Sequence, residues 1–260
     1  MAGAGNLISG NTQAGIRVDD GSNNTIHGNW IGVDATGVAA LPNNTGILIT
    51  SAYQYGSGSF SVGGGAAGEA NVVSGNSGPG ISVTRRVGGS VSGNLVGVGA
   101  DGLTALGNGS HGITLSESST GIGGLGAGNV IAGNDGYGIA LDGDLYFSPW
   151  SHAYVFGNAI GAAADGSPLH PNTLGGVLLN DLPGQVEDNV IVGNGGNGIT
   201  VLGSDATVEL HRNVTTDNAA LGIDLSGDGV TPNDPGDGDG GPNLLQNFPV
   251  IAAATALAIA

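Results

Sequence analysis

The chain has 260 residues and a formal net charge of −17, with four arginines, no lysine and no cysteine. Phosphate binding needs a basic stripe, so this charge excludes a nucleic-acid partner and an anionic membrane surface, whereas calcium or a neutral sugar polymer is compatible. The missing cysteines exclude disulfides, thiolate catalysis and thiolate zinc sites, and no run of eighteen apolar residues exists to insert into a membrane.

A repeat runs through the chain and accounts for its 54 glycines. In the short units an Asn is followed nine residues later by Gly-Ile, beginning at Asn6, Asn71, Asn129, Asn189 and Asn213. Longer units reach Gly-Ile or Gly-Val after seventeen or eighteen residues, beginning at Asn29, Asn94 and Asn158. Eight such units indicate a solenoid in which each unit stacks on its neighbours.

Apolar residues alternate inside each unit, as at Ile16/Val18 and Ile113/Leu115. This is strand periodicity, and two further apolar runs precede each Gly-Ile-x-Val, so three short strands per coil are predicted and helices are at most incidental. Like residues on successive coils then stack about 4.8 Å apart. The recurrent Asn is predicted at a corner, where it tolerates a left-handed backbone and bonds to the Asn of the next coil.

The Asn-x-Ile-x-Gly-Asn, Ile-Gly-x-x-x-x-Gly and Gly-Ile-x-Val segments resemble the repeats of bacterial right-handed parallel β-helix proteins, the pectate-lyase-like superfamily, over about residues 5–225. The resemblance implies an all-β right-handed parallel β-helix of about eight coils. That superfamily includes polysaccharide lyases, glycoside hydrolases, tailspikes and surface stalks, so the fold alone does not give the function. No catalytic motif of a specific hydrolase or lyase family is present.

Two kinds of insertion interrupt the repeat. The long units carry loops 33–41, 98–106 and 162–169, each with a turn signal and a Leu that can fold back, which favours structural flaps. Loops 51–67, 117–127 and 143–152 follow the Gly-Ile-x-Val strand and vary in content, as binding loops do. The third is the most aromatic, and its candidate substrate-binding residues are Tyr146, Phe147, Trp150 and His152.

Counting from Gly-Ile places one charged row on four successive coils, formed by Arg85, Glu117, Asp142 and Asp181, with Asp144 beside it. Carboxylates on such coils are expected roughly 5 to 10 Å apart, which spans the separations of retaining and inverting glycosidases. An inverting hydrolase would use Glu117 or Asp142 as acid and Asp181 as base. A β-eliminating lyase would use Arg85 as base or charge neutraliser, with calcium held by the acids of the row. The alternative is a solvated row in which Arg85 and Glu117 form a weak surface ion pair.

The repeat stops after Leu225, so the predicted domains are a β-helix over residues 3–225, an acidic Gly/Asp/Pro-rich segment over 226–243, and a cap or truncated following domain over 244–260. The acidic segment offers oxygen ligands of the kind that calcium accepts: Asp228, Asn233, Asp234, Asp237 and Asp239. Their spacing is not that of an EF-hand loop, and a solvated linker is the alternative.

The sequence therefore predicts a secreted or surface-attached bacterial module, monomeric within a longer chain, that contacts polysaccharide. A polysaccharide hydrolase or lyase that uses the charged row is the enzymatic alternative. A structural stalk or adhesin spacer is the third hypothesis.

Overall fold

The computed structural model describes residues 5–51, 58–85, 87–143, 152–203, 207–248 and 250. Within these ranges the chain forms 23 short strands and one four-residue 3-10 turn, Pro242–Leu245. No helix in this part of the chain is long and apolar enough to cross a membrane.

Every third strand joins the same parallel sheet. Sheet A contains β1 (Leu7–Ile8), β4 (Trp30–Ile31), β7 (Val72–Val73), β10 (Leu95–Val96), β13 (Val130–Ile131), β16 (Ala159–Ile160), β19 (Val190–Val192) and β22 (Val214–Thr216). Sheet B contains β2 (Ala14–Asp19), β5 (Thr45–Thr50), β8 (Ile81–Thr84), β11 (Ile113–Ser116), β14 (Tyr137–Asp142), β17 (Gly175–Asn180), β20 (Asn197–Leu202) and β23 (Ile223–Leu225). Sheet C contains β3 (Asn24–Ile26), β6 (Ser59–Gly63), β9 (Gly88–Ser92), β12 (Ser119–Gly123), β15 (Ala153–Phe156), β18 (Gly184–Glu187) and β21 (Val208–His211).

This arrangement confirms the predicted right-handed parallel β-helix of about eight coils with three strands per coil. The alternating apolar residues of Gly-Ile-x-Val point inward and stack in register, as Ile113 does on Ile81 and Ile139. They form one continuous core, in which Ile113 and Leu115 are 0% and 1% exposed. Burial of these apolar columns is the main favourable contribution to folding.

Asparagine ladders run along two of the three corners of the coil. At the corner from sheet C to sheet A, the ladder consists of Asn6, Asn29, Asn71, Asn94, Asn129, Asn158, Asn189 and Asn213. At the corner from sheet A to sheet B, it consists of Asn11, Asn43, Asn76, Asn108, Asn134, Asn172, Asn194 and Asn218. The first ladder was predicted from the repeat, and the second was not.

The ladders satisfy polar groups that the coil would otherwise bury without partners. Asn94, for example, donates from its backbone N–H and its Nδ2 to Oδ1 of Asn129, at 2.9 and 3.0 Å. Its Nδ2 also donates to the backbone carbonyl of Val62, at 3.0 Å. Each interior Asn thus links three coils while it is at most 5% exposed. Buried polar groups are stable only when they are paired in this way.

Three flaps cover the outer face of sheet A. Each is closed by an antiparallel bridge, which pairs Val33 with Ala40, Val98 with Ala105, and Ala162 with Pro168. Between flap and sheet lies a second small apolar cluster of Val98, Val130 and Ala132, against which Leu95, Ala159 and Leu169 pack. The flaps also contact one another, since the N–H of Ala100 donates to the carbonyl of Gly37 at 2.8 Å. The flap residues on this side of the helix therefore have a structural role.

Candidate functional site

The third corner, from sheet B to sheet C, carries the charged row and has no asparagine ladder among the described residues. Arg85, Glu117 and Asp181 occupy it in the left-handed conformation, with φ of 66°, 53° and 47°. Each donates its backbone N–H to a carbonyl of the next coil, as Glu117 does to Asp142 at 3.1 Å. Backbone hydrogen bonds thus join successive coils at this corner, so these side chains are not needed to form a ladder.

The structure places the predicted catalytic residues on four successive coils without bringing all of them together. Asp142 is the exposed last residue of β14 and accepts a hydrogen bond from Nδ2 of Asn180 at 2.8 Å. The partly buried Glu117 lies on the preceding coil. Asp181 points the other way: a Cβ added to Gly203, on the following coil, would lie 2.1 Å from its Oδ1. Asp144 lies outside the described residues.

Arg85 is exposed and forms no ion pair with Glu117 in the described part of the chain, where the arginine pairs are Arg17 with Asp19 and Arg212 with Glu187 and Asp188. The alternative of a surface pair between Arg85 and Glu117 is therefore not what the geometry shows.

Arg85 instead lines an open depression of about 430 Å³ at the carboxyl end of the first sheet B strands. The lining side chains are Arg17, Asp19, Asp20, Leu48, Thr50, Ser51, Thr84 and Arg85. Thr84 Oγ1 lies 2.9 Å from Thr50 Oγ1, and Ser51 Oγ donates to Asp20 at 2.6 Å. Two of the four arginines of the chain thus meet hydroxyls, carboxylates and one leucine on a single rigid surface.

The aromatic loop leaves from the same corner, because β14 belongs to sheet B and β15 to sheet C. Its residues Tyr146, Phe147 and Trp150 lie outside the described residues. His152 is exposed and its backbone N–H donates to Ser119 Oγ at 3.3 Å. The following strand adds Tyr154, 48% exposed on the outer face of sheet C. The alternation of β15 predicts this orientation, although the sequence was interpreted only as an apolar run.

The C-terminal acidic segment brings together three of the five predicted calcium ligands. Carboxylate oxygens of Asp234, Asp237 and Asp239 lie within 4.8 Å of one another. Asn233 is engaged elsewhere, since its side chain exchanges two hydrogen bonds with the backbone of Phe248, at 2.8 and 2.9 Å. Asp228 is exposed and lies outside this acid cluster.

Two oxygens of this acid cluster fit a bound cation. Oδ1 of Asp234 and Oδ1 of Asp239 are out of contact with water and have no hydrogen-bond donor among the described residues. Burying carboxylate oxygens beside like charges without a donor is costly, and a divalent cation removes that cost. The described residues therefore include acid clusters able to hold a metal ion.

A half-buried histidine borders the entry to sheet B. His111 stacks on Tyr137 with ring centroids 5.9 Å apart, and its Nδ1 accepts the backbone N–H of Tyr137 at 2.9 Å. Burial lowers the pKa of His111, against a smaller opposing effect of the Asp142 charge. The neutral imidazole with its proton on Nε2 is therefore the favoured form.

Comparison with known proteins adds no relative. No protein-family model matches the chain. No curated protein matches it, and no solved structure does.

Proposed function

We propose that the chain is a rigid β-helical module of an exported bacterial surface protein that contacts polysaccharide along the corner from sheet B to sheet C. The observation that supports it most is the concentration of variable polar and aromatic residues at this corner, while the other two corners hold ladders. Membership of the pectate-lyase-like superfamily is part of the same proposal.

The chemistry of the corner suits a sugar polymer. Hydroxyls of Thr50 and Thr84, with the Arg85 guanidinium, offer donors and acceptors to sugar hydroxyls, and Leu48 offers an apolar patch. The insertions at 52–57 and 144–151 both join a sheet B strand to a sheet C strand, and they carry Tyr53, Tyr55 and Trp150 among their residues. Concave sites with a few polar groups and aromatic platforms are typical of carbohydrate recognition.

The test is affinity electrophoresis and calorimetry with neutral and acidic polysaccharides, on the wild-type chain and a Trp150→Ala variant. We expect binding that falls by about tenfold or more in Trp150→Ala, because a stacked aromatic anchor is worth about 1.4 kcal/mol or more. Leu103→Ala is the matched control, since Leu103 is 61% exposed on a flap away from this corner. Absence of binding, or binding unchanged in Trp150→Ala, contradicts the proposal.

The enzymatic alternative, a polysaccharide hydrolase or lyase, has one supporting observation: Glu117 and Asp142 stand on adjacent coils. Adjacent strands are about 4.8 Å apart, within reach of the carboxyl separation of retaining glycosidases. New reducing ends, or ultraviolet absorbance of an unsaturated product, that disappear in Glu117→Gln would establish it. A folded protein that neither binds nor cleaves leaves the third alternative, a structural stalk.

We also propose that Asp234, Asp237 and Asp239 hold calcium, which prefers oxygen ligands in flexible geometry. The support is the pair of buried, unpartnered carboxylate oxygens. Calorimetric titration with calcium chloride should show one site that is lost in Asp239→Asn and kept in Asp228→Asn, a matched change of an exposed acid in the same segment. Equal binding by these two variants contradicts the proposal.

A further inference from the structure

The outer face of sheet C near its C-terminal end carries an imidazole and two carboxylates on neighbouring strands. The register of β18 and β21 sets Glu187 beside His211 and Gln185 beside Glu209. Glu209 and His211 are two residues apart on β21, so both project outward. We propose that Glu187, Glu209 and His211 form a transition-metal site of the zinc class that ties β21 to β18.

The distances fit such a site. Ligand atoms of the three side chains lie within 4.8 Å of one another, and His211 Nε2 is 3.8 Å from Glu209 Oε2. A tetrahedral zinc ion with bonds of about 2.0 to 2.2 Å separates its ligand atoms by about 3.3 to 3.6 Å. Small rotations of the three side chains would therefore bring their ligand atoms to bonding distance from one ion. The backbone positions are already fixed by the sheet.

Neighbouring side chains contact both carboxylates. Gln185 Nε2 donates to Oε2 of Glu209 at 2.8 Å. Arg212 contacts Oε2 of Glu187 at 3.2 Å, but its main partner is Asp188, which it meets through two bonds of 2.7 and 2.9 Å. The neutral Gln185 amide is the usual kind of support for a metal-binding carboxylate, whereas the positive charge of Arg212 opposes a cation.

The charge balance leaves room for a cation. Glu187, Asp188 and Glu209 contribute three negative charges against the single positive charge of Arg212 when His211 is neutral. A divalent ion neutralises the excess of two. The guanidinium of Arg212 lies 3.2 Å from the Glu187 carboxylate, so its positive charge opposes the ion and lowers the affinity of the site.

The donor set selects the class of metal. Imidazole with carboxylates suits zinc and neighbouring transition metals, whereas calcium prefers oxygen ligands alone. The zinc site and the acid cluster of Asp234, Asp237 and Asp239 are therefore expected to take different ions, which makes them separable by experiment.

A metal at this position would anchor an exposed strand edge. Among the described strands, β21 is the last of sheet C and pairs only with β18. On its other side, the side chain of Asn243 exchanges two hydrogen bonds with the backbone of Val208, at 2.7 and 2.9 Å. The ion would hold the opposite end of the strand, at His211.

The test is titration of the full chain with zinc by calorimetry and with cobalt by visible absorption, whose intensity reports a tetrahedral site. We expect one site that loses at least about 100-fold in affinity in His211→Ala and in Glu209→Gln, since outer-shell changes alone cost roughly 10- to 100-fold. Asp239→Asn is the control and should bind zinc like the wild type. No zinc binding by the folded chain, or binding that survives both substitutions, overturns the proposal.

Arg212→Gln separates a metal site from an ion-pair cluster. Removing a positive charge about 5 Å from a divalent ion should tighten zinc binding by about tenfold, even in a medium as polar as water. Equal or weaker binding by Arg212→Gln would show that the arginine completes the cluster, which also overturns the proposal.

Discussion

The corners of this β-helix differ in how much the residue type varies from coil to coil. The two ladder corners repeat asparagine on every coil and bury its interior members almost completely. The corner from sheet B to sheet C instead presents Asp20, Arg85, Glu117, Gly143 and Asp181 on different coils. The comparison teaches that two corners specify the coil, while the third has no continuous side-chain ladder among the described residues and is available for recognition.

The largest effect is expected from breaking a ladder. Asn129→Ala leaves the backbone N–H of Asn94 without its acceptor and the carbonyl of Val91 without the Asn129 donor, while Nδ2 of Asn94 loses one acceptor and keeps the carbonyl of Val62. Each buried group left unpaired costs about 1 to 3 kcal/mol, so a loss of about 3 to 5 kcal/mol in the free energy of unfolding is expected. Urea unfolding measures it.

Asn44→Ala is the control for the ladder prediction, because Asn44 is exposed next to the ladder residue Asn43. It should change stability by less than about 0.5 kcal/mol. Similar losses in Asn129→Ala and Asn44→Ala would show that the ladders contribute no more than surface asparagines.

A smaller effect is expected from exchanging residue types between corners. Gly93 stands at a ladder corner with φ of 66°, and a Cβ there would lie 2.1 Å from the carbonyl oxygen of Gly64. Gly93→Ala should cost about 2 kcal/mol, because steric conflict adds to the left-handed penalty of about 1 kcal/mol or more. Glu117→Gly at the third corner should instead be neutral or stabilise by up to about 1 kcal/mol, because it relieves that penalty.

Thermal and urea unfolding of both variants tests this exchange. Destabilisation by Glu117→Gly as large as that by Gly93→Ala would mean that the side chain of Glu117 is part of the fold. The third corner would then lose its distinction from the other two.

The sequence predicted the first ladder because its asparagines recur at a fixed distance from Gly-Ile. The second ladder was missed because its distance from the first alternates: Asn11 follows Asn6 by five residues, and Asn43 follows Asn29 by fourteen. The extra nine residues form a flap, so the periodicity is hidden by an insertion. Subtracting the flaps from the long units would have revealed it.

The repeat predicts on which coil a residue lies, but it does not predict which neighbours its side chain contacts. The row containing Glu117 and Asp142 follows from counting, but the turn of the Asp181 carboxylate towards Gly203 depends on a glycine one coil away. The acid cluster depends on a non-repeating chain path, in which Asp237 is left-handed and accepts the N–H of Asn247 at 2.8 Å. No period encodes such contacts.

One missed cluster did have a signal in the sequence. Glu187 and His211 each stand two residues before a ladder asparagine, Asn189 and Asn213, so equal offsets already place them side by side. Counting from the ladder as well as from Gly-Ile would have found them.

The smallest predicted effect is a pH dependence at a ladder corner, where His111 follows the ladder residue Asn108. Burial lowers its pKa in the folded chain, so below about pH 6.5 the unfolded chain binds more protons and stability falls as the pH drops through the folded pKa. Because His111 is only half-buried, the slope should stay well under the 1.4 kcal/mol per pH unit of a full proton. His111→Gln removes this component, so the difference between the two unfolding midpoints should shrink from pH 7 to pH 5. If the difference in midpoint between the wild type and His111→Gln stays constant across that range, the imidazole is solvated in the folded chain and its packing on Tyr137 does not contribute to stability.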